Sequence, residues 1–145
     1  MSVFTDAEIG YLRDQTLGRV ATVGRDGRPH ITPVTFYFNS DEDTVDVGGV
    51  SFGDTKKWRD AQHHAVVTLL VDDVLSNPRR ARALEIRGDA EVHEDGGNEI
   101  NPRFPSFAPQ FIRIRPRRIV SWGLEEGGTD AAGMNVNARS VPKGA

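Results

Sequence analysis

The sequence predicts a mainly β protein, a small antiparallel barrel with short helices. Stretches rich in Val, Ile, Thr and aromatic residues recur about six times between Gly, Pro and Asp turn signals. Residues 65–71, Ala-Val-Val-Thr-Leu-Leu-Val, are almost wholly apolar, as in a strand buried on both faces. Residues 84–92 alternate instead, with Leu84, Ile86, Ala90 and Val92 on one face. An antiparallel sheet of this size leaves edges exposed unless it closes, and closure makes a barrel.

The chain opens on a helix signature. Thr5 and Glu8 have capping-box spacing, and Phe4 with Ile9 are placed as a hydrophobic staple. Ile9 and Leu12 define the inner face, and the helix should end between Gln15 and Gly18. Residues 19–24 have strand composition, and Asp26-Gly27 turns the chain back. Residues 29–38 form a longer strand. Pro33 within it cannot donate to a ladder, so that point should be an edge, bulge or bend. Residues 44–49 return as a third strand, and a short helix follows with Trp58 and Ala61 inside. Residues 72–83, rich in Arg and Pro, read as a loop, and Gly88 in the next strand marks a bulge or bend. Residues 95–110 are a loop, and residues 111–116 and 118–123 are two closing strand segments. From Glu125 onward small and polar residues dominate without an apolar period. The expected division is therefore a barrel domain at residues 1–124 and a mobile, dispensable tail at 125–145.

Composition excludes several function classes. Charged residues make up 27% and the net charge is −3, which argues against nucleic-acid binding. With no cysteine there is no disulfide, thiolate nucleophile or cysteine metal site. No apolar run approaches the ~20 residues of a membrane span and no secretory signal is visible, which suits the cytoplasm. His63 and His64 are adjacent, so on a helix they point apart, and no metal site is expected. No Ser/His/Asp arrangement has local support.

The richest chemistry lies in Ser51-Phe52-Gly53-Asp54-Thr55-Lys56-Lys57-Trp58. Hydroxyls and two lysines gather where a helix presents unpaired N–H groups and its positive dipole end, a seat for phosphate. The competing reading is a solvated first turn with Asp54 as N-cap. Arg79, Arg80 and Arg82, and Arg113, Arg115, Arg117 and Arg118, form two basic clusters. Each reads either as a solvated face or as a groove for an anionic cofactor tail.

Taken together, Gly18-Arg19-Val20-Ala21-Thr22-Val23, Asp26-Gly27-Arg28-Pro29-His30, Thr32-Pro33-Val34, Thr55-Lys56-Lys57-Trp58-Arg59-Asp60, Glu85-Ile86-Arg87-Gly88 and the run from Arg113 to Trp122 resemble a known family. It is the pyridoxamine-phosphate-oxidase-like, FMN-binding split-barrel family, and within it the actinobacterial group that uses the deazaflavin coenzyme F-420. The resemblance implies a homodimer of split barrels with two shared cofactor sites. It implies that Thr55, Lys56 and Lys57 hold a cofactor phosphate near Ser51. Thr32, Pro33, Val34 and Thr35 would lie along the ring, and Trp122 would complete a site from the partner chain. Where members often carry Arg-Lys this chain has Lys56-Lys57, a point charge in place of a bidentate grip. The implied activity is hydride transfer between reduced coenzyme F-420 and an electron-poor small molecule, with no catalytic side chain singled out. Two alternatives stand beside it: an FMN-binding oxidoreductase of the same fold, and a non-catalytic carrier of such a cofactor.

Overall fold

The computed structural model describes residues 1–125 and 135–144. Helix α1 (Asp6–Asp14) starts on the capping box read in the sequence. The Thr5 hydroxyl accepts the Glu8 N–H, and the Glu8 carboxylate accepts the Thr5 N–H. Strands β1 (Gly18–Val23), β2 (Pro29–Asn39) and β3 (Thr44–Gly48) follow, then α2 (Lys56–His63), β4 (Val66–Ser76), β5 (Arg79–His93), β6 (Phe111–Trp122) and β7 (Val136–Ser140). All pairings are antiparallel, in the order β3-β2-β1-β4-β5-β6-β7. A further β3–β6 ladder, Val45 to Val47 against Ile112 to Ile114, closes β1 to β6 into a barrel. Among the described residues no helix is long and apolar enough to cross a membrane.

The barrel interior is filled by side chains such as Val45, Val47, Leu69, Ile86, Ile112 and Ile119, all without exposed surface. Each such burial contributes about 1.5–3 kcal/mol. Alternation fixes which side chains face in. On β2 the even positions Val34, Phe36 and Phe38 are buried, and the odd positions face out.

β2 changes partners along its length. Residues 29–34 pair with β1, and residues 35–39 pair with β3. Pro33 lies in the half that has a neighbour on one side only, the edge its missing N–H requires. Gly88 sits at a register shift. An added Cβ there would lie 2.3 Å from the Arg115 carbonyl oxygen, so only glycine allows the approach.

Three expectations are corrected. Residues 72–83 are not a loop. β4 runs on to Ser76 and β5 begins at Arg79, forming a long hairpin. Opposite charges across the ladder hold it, above all Arg82 on Asp73 at 2.9 and 2.7 Å. The closing segments 111–116 and 118–123 are one strand, because the shift opposite Arg87 and Gly88 accommodates Pro116. Residues 136–140, expected in a structureless tail, add β7 to β6. The Arg139 guanidinium reaches the fully buried Glu8 carboxylate at 2.6 and 3.0 Å, and Val141 is buried. The intervening part of the expected tail, residues 126–134, lies outside the described residues.

Candidate functional site

α2 starts where the 3-10 turn Phe52–Asp54 ends. Thr55, not Asp54, is its N-cap. The Thr55 hydroxyl accepts the Trp58 N–H at 3.3 Å and donates to the Phe52 carbonyl at 2.7 Å, so it is committed to the backbone. The N–H groups of Lys56 and Lys57, in the first turn, have no intrahelical acceptor. Trp58 and Ala61 are buried and dock the helix on the barrel, as their spacing predicts. Ser51 is exposed at the start of the 3-10 turn, and its side chain makes no capping bond.

The two lysines diverge. Lys57 Nζ lies 5.6 Å from the centroid of the Phe52 ring, and burial pushes its pKa below the usual lysine range. Lys56 Nζ reaches forward to the next helical turn and donates to Asp60 Oδ1 at 2.9 Å. It also approaches the β1–β2 turn, where a Cβ added to Gly24 would sit 3.0 Å away. Asp60 is buried and accepts the Thr22 hydroxyl at 2.8 Å. Burial alone would raise its pKa, but the bonds from Lys56 and Thr22 outweigh it and hold the carboxyl below the usual range.

Thr22 stands opposite His30 in the β1–β2 register, and Val20 stands opposite Thr32. His30 and Thr32 therefore share the inward-facing row of β2. His30 Nδ1 and Thr32 Oγ1 are buried and have no hydrogen-bond partner. An unmet buried polar atom costs about 1–3 kcal/mol, so two in one row mark a place where another group is accommodated.

The other expected residues are spread more widely. Pro33 faces outward, Val34 is in the core, and Thr35 stands where β2 changes partner, on the wall of a cleft of about 740 Å³. Trp122 lies on the outer side of β6 between Ala83 and Val136, on a strand separated from β2 by β3. Of the expected set, Lys56 is linked through Asp60 and Thr22 to the His30 position of β2, with Thr55 and Lys57 beside it at the helix start, and no such link reaches Trp122. Asp60, Thr22 and His30 complete this cluster and were not singled out as site residues from sequence. The i,i+4 spacing of Lys56 and Asp60 was a visible signal, whereas Thr22 needed the strand register.

Most of the basic clusters are neutralised. Arg113 binds Asp46 and Glu42, Arg115 binds Glu91 and Glu42, Arg117 binds Asp89, and Arg82 binds Asp73. Arg113 and Arg115 share Glu42 in one ionic network, Arg117 pairs separately, and Arg82 packs over the buried Tyr11 ring, so these four do not line an open groove for an anionic tail.

A family model described as pyridoxamine 5'-phosphate oxidase matches residues 4–123. A 5a,11a-dehydrotetracycline/5a,11a-dehydrooxytetracycline reductase of Streptomyces rimosus subsp. rimosus is 43% identical over 123 residues, 84% of each chain. Among solved structures, the conserved hypothetical protein Rv2991 from Mycobacterium tuberculosis matches with a TM-score of 0.66 at 18% identity, over 90% of this chain and 96% of that one. The FAD binding protein from Mycobacterium smegmatis gives 0.59 at 22% identity, over 83% and 96%. At these identities the two structures bear on the fold alone.

Proposed function

The chain belongs to the pyridoxamine 5'-phosphate oxidase family, and from that premise we propose that it is a coenzyme F-420-dependent oxidoreductase acting on an electron-poor small molecule. The observation that carries this reading is the relative named as a reductase, 43% identical over 84% of both chains, which favours an enzyme over a carrier. The residues present fit a phosphate-bearing, flavin-like group. Two buried polar atoms on β2 lack partners, and a helix start with open N–H groups and a lysine facing no carboxylate stands nearby. When bound, the deazaflavin supplies the hydride.

The chain's own residues bind and orient. Lys57 and the first-turn N–H groups take the phosphate. Lys56, tied to Asp60, adds positive potential, and Thr55 fixes the helix start. The free Ser51 hydroxyl supplies a further donor. Thr32, Pro33, Val34 and Thr35 run beside the ring, where Thr32 Oγ1 and His30 Nδ1 gain the partners they lack. A second copy of the chain covers the outer face of β1, β2 and β4, where Ile31 is 63% and Val66 51% exposed, and brings its Trp122 to complete each site. A homodimer working on a small molecule in the cytoplasm belongs to the same reading.

The test is titration of the purified protein with coenzyme F-420 and with FMN, followed by anaerobic turnover of reduced F-420 with an artificial acceptor. The expected outcome is tighter binding of F-420 and acceptor-dependent oxidation. Preference for FMN, or binding without turnover, would overturn the reading in favour of the flavin enzyme or the carrier.

A further inference from the structure

The 740 Å³ cleft lies between the C-terminal end of α1, the outer half of β2 and residues 101–104, within the size range of small-molecule sites. Tyr37 and Phe104 give its accessible aromatic surface, and Phe36 and Phe38 border it but are buried. Its rim carries two cations, Arg13 and Arg103. Among the described residues neither arginine forms an ion pair, in contrast to Arg82, Arg113, Arg115, Arg117 and Arg139, which are all neutralised by carboxylates.

The Arg13 guanidinium and the Arg103 backbone are held in place. Arg13 lies 5.5 Å from the Phe38 ring centroid. Arg103 follows the buried Asn101, whose side-chain oxygen accepts the Arg103 N–H at 3.1 Å and whose carbonyl accepts the Phe104 N–H at 3.0 Å. Phe104 is stacked on Phe107 at 5.0 Å. Beyond Arg13 and Phe38 a separate groove carries Asp6, Asp41 and Asp43, so negative charge bounds the cleft on that side. A flat ring system would stack on the walls, and an anionic group on it would turn away from those aspartates toward Arg103.

We infer that this cleft is the substrate site and takes a planar, fused-ring organic anion, such as an aryl carboxylate or an enolate. The inference rests on the oxidoreductase reading for the word substrate. The link is Thr35, which ends the β2 stretch assigned to the cofactor ring and also lines the cleft. Binding itself requires neither cofactor nor turnover.

The experiment uses the full chain without cofactor and two fluorescent probes, 9-anthracenecarboxylate and the uncharged 9-anthracenemethanol, followed by anisotropy. The wild type should bind the carboxylate about tenfold tighter than the alcohol, the effect of one charge-assisted contact. Arg103→Ala should abolish that preference, Arg13→Ala should reduce it, and Tyr37→Ala should weaken both probes. Replacing Lys56 and Lys57 together should leave probe binding unchanged, which separates this cleft from the phosphate seat. Equal affinity for the two probes, no binding of either, or an Arg103→Ala variant that keeps the preference would overturn the inference. If the probes bind as expected but reduced F-420 is never oxidised, the cleft stands and the oxidoreductase reading falls.

Discussion

Arg139→Met is expected to destabilise the fold through Glu8. Glu8 is fully buried, and its carboxylate accepts two bonds from Arg139, one from Ser121 at 2.7 Å and one from the Thr5 N–H at 2.9 Å. Removing one partner of a buried pair leaves a charge in low dielectric, at about 3–5 kcal/mol. Ser121 and Thr5 still serve the carboxylate, so the low end, about 3 kcal/mol, is appropriate, or roughly 6–12 °C in melting temperature. Burial pushes the Glu8 pKa up, but the bonds from Arg139, Thr5 and Ser121 outweigh it and leave the carboxyl below its usual value. A depressed folded pKa means that the contribution is present above the unfolded pKa of about 4.3 and is lost as pH falls through the folded value. In Arg139→Met burial is no longer outweighed to the same extent, so the pKa rises. The gap between wild type and variant should then narrow as pH drops from 7 toward about 3. The double variant Glu8→Gln with Arg139→Met keeps the acceptor for Thr5 and carries no charge, so it should recover most of the loss. Melting followed by circular dichroism across this pH range is the assay. An Arg139→Met protein melting within about 2 °C of wild type at pH 7, or a double variant no better than the single, would refute the reasoning.

The two lysines should separate by readout. Lys57→Ala should weaken F-420 binding by about tenfold to a hundredfold, less at high salt, with melting nearly unchanged. Lys56→Ala should also lower the melting temperature by a few degrees, because buried Asp60 keeps only Thr22. The cost is held to about 1 kcal/mol because the Lys56 side chain is 47% exposed. Gly88→Ala should cost about 1–3 kcal/mol or more in chemical denaturation, since its Cβ would fall 2.3 Å from a backbone oxygen. Ile31→Asp should convert the proposed dimer to a monomer near 16.0 kDa by light scattering, and a wild type already at that mass would refute the dimer.

Much of the fold was legible because local signals agreed with the tertiary outcome. The Thr5–Glu8 box, the apolar run before Val71 and the Gly88 irregularity are each dictated within a few residues. The β4–β5 hairpin was not legible, because its strand ends carry Asp72, Asp73 and Arg79 to Arg82. That composition resembles a loop until the charges are seen to pair across the ladder. β7 has an exposed Val-Asn-Ala-Arg-Ser sequence without alternation, and Arg139 finds Glu8 only across 131 positions of chain. At the candidate site the helix start was visible as a cluster of residue types. The bond from Thr22 to Asp60 and the unmet atoms on His30 and Thr32 depend on strand register, which sequence spacing alone does not set.

The Glu8–Arg139 contact also bears on how the protein is made. Its two ends are separated by 131 residues, about 7–26 s of synthesis at the usual elongation rates of roughly 5–20 residues per second. Throughout that interval α1 carries a carboxylate whose cation has not yet been translated. During that interval Glu8 has only Ser121 and the Thr5 N–H for partners, so α1 docks on the β1 to β6 barrel less tightly until β7 supplies Arg139.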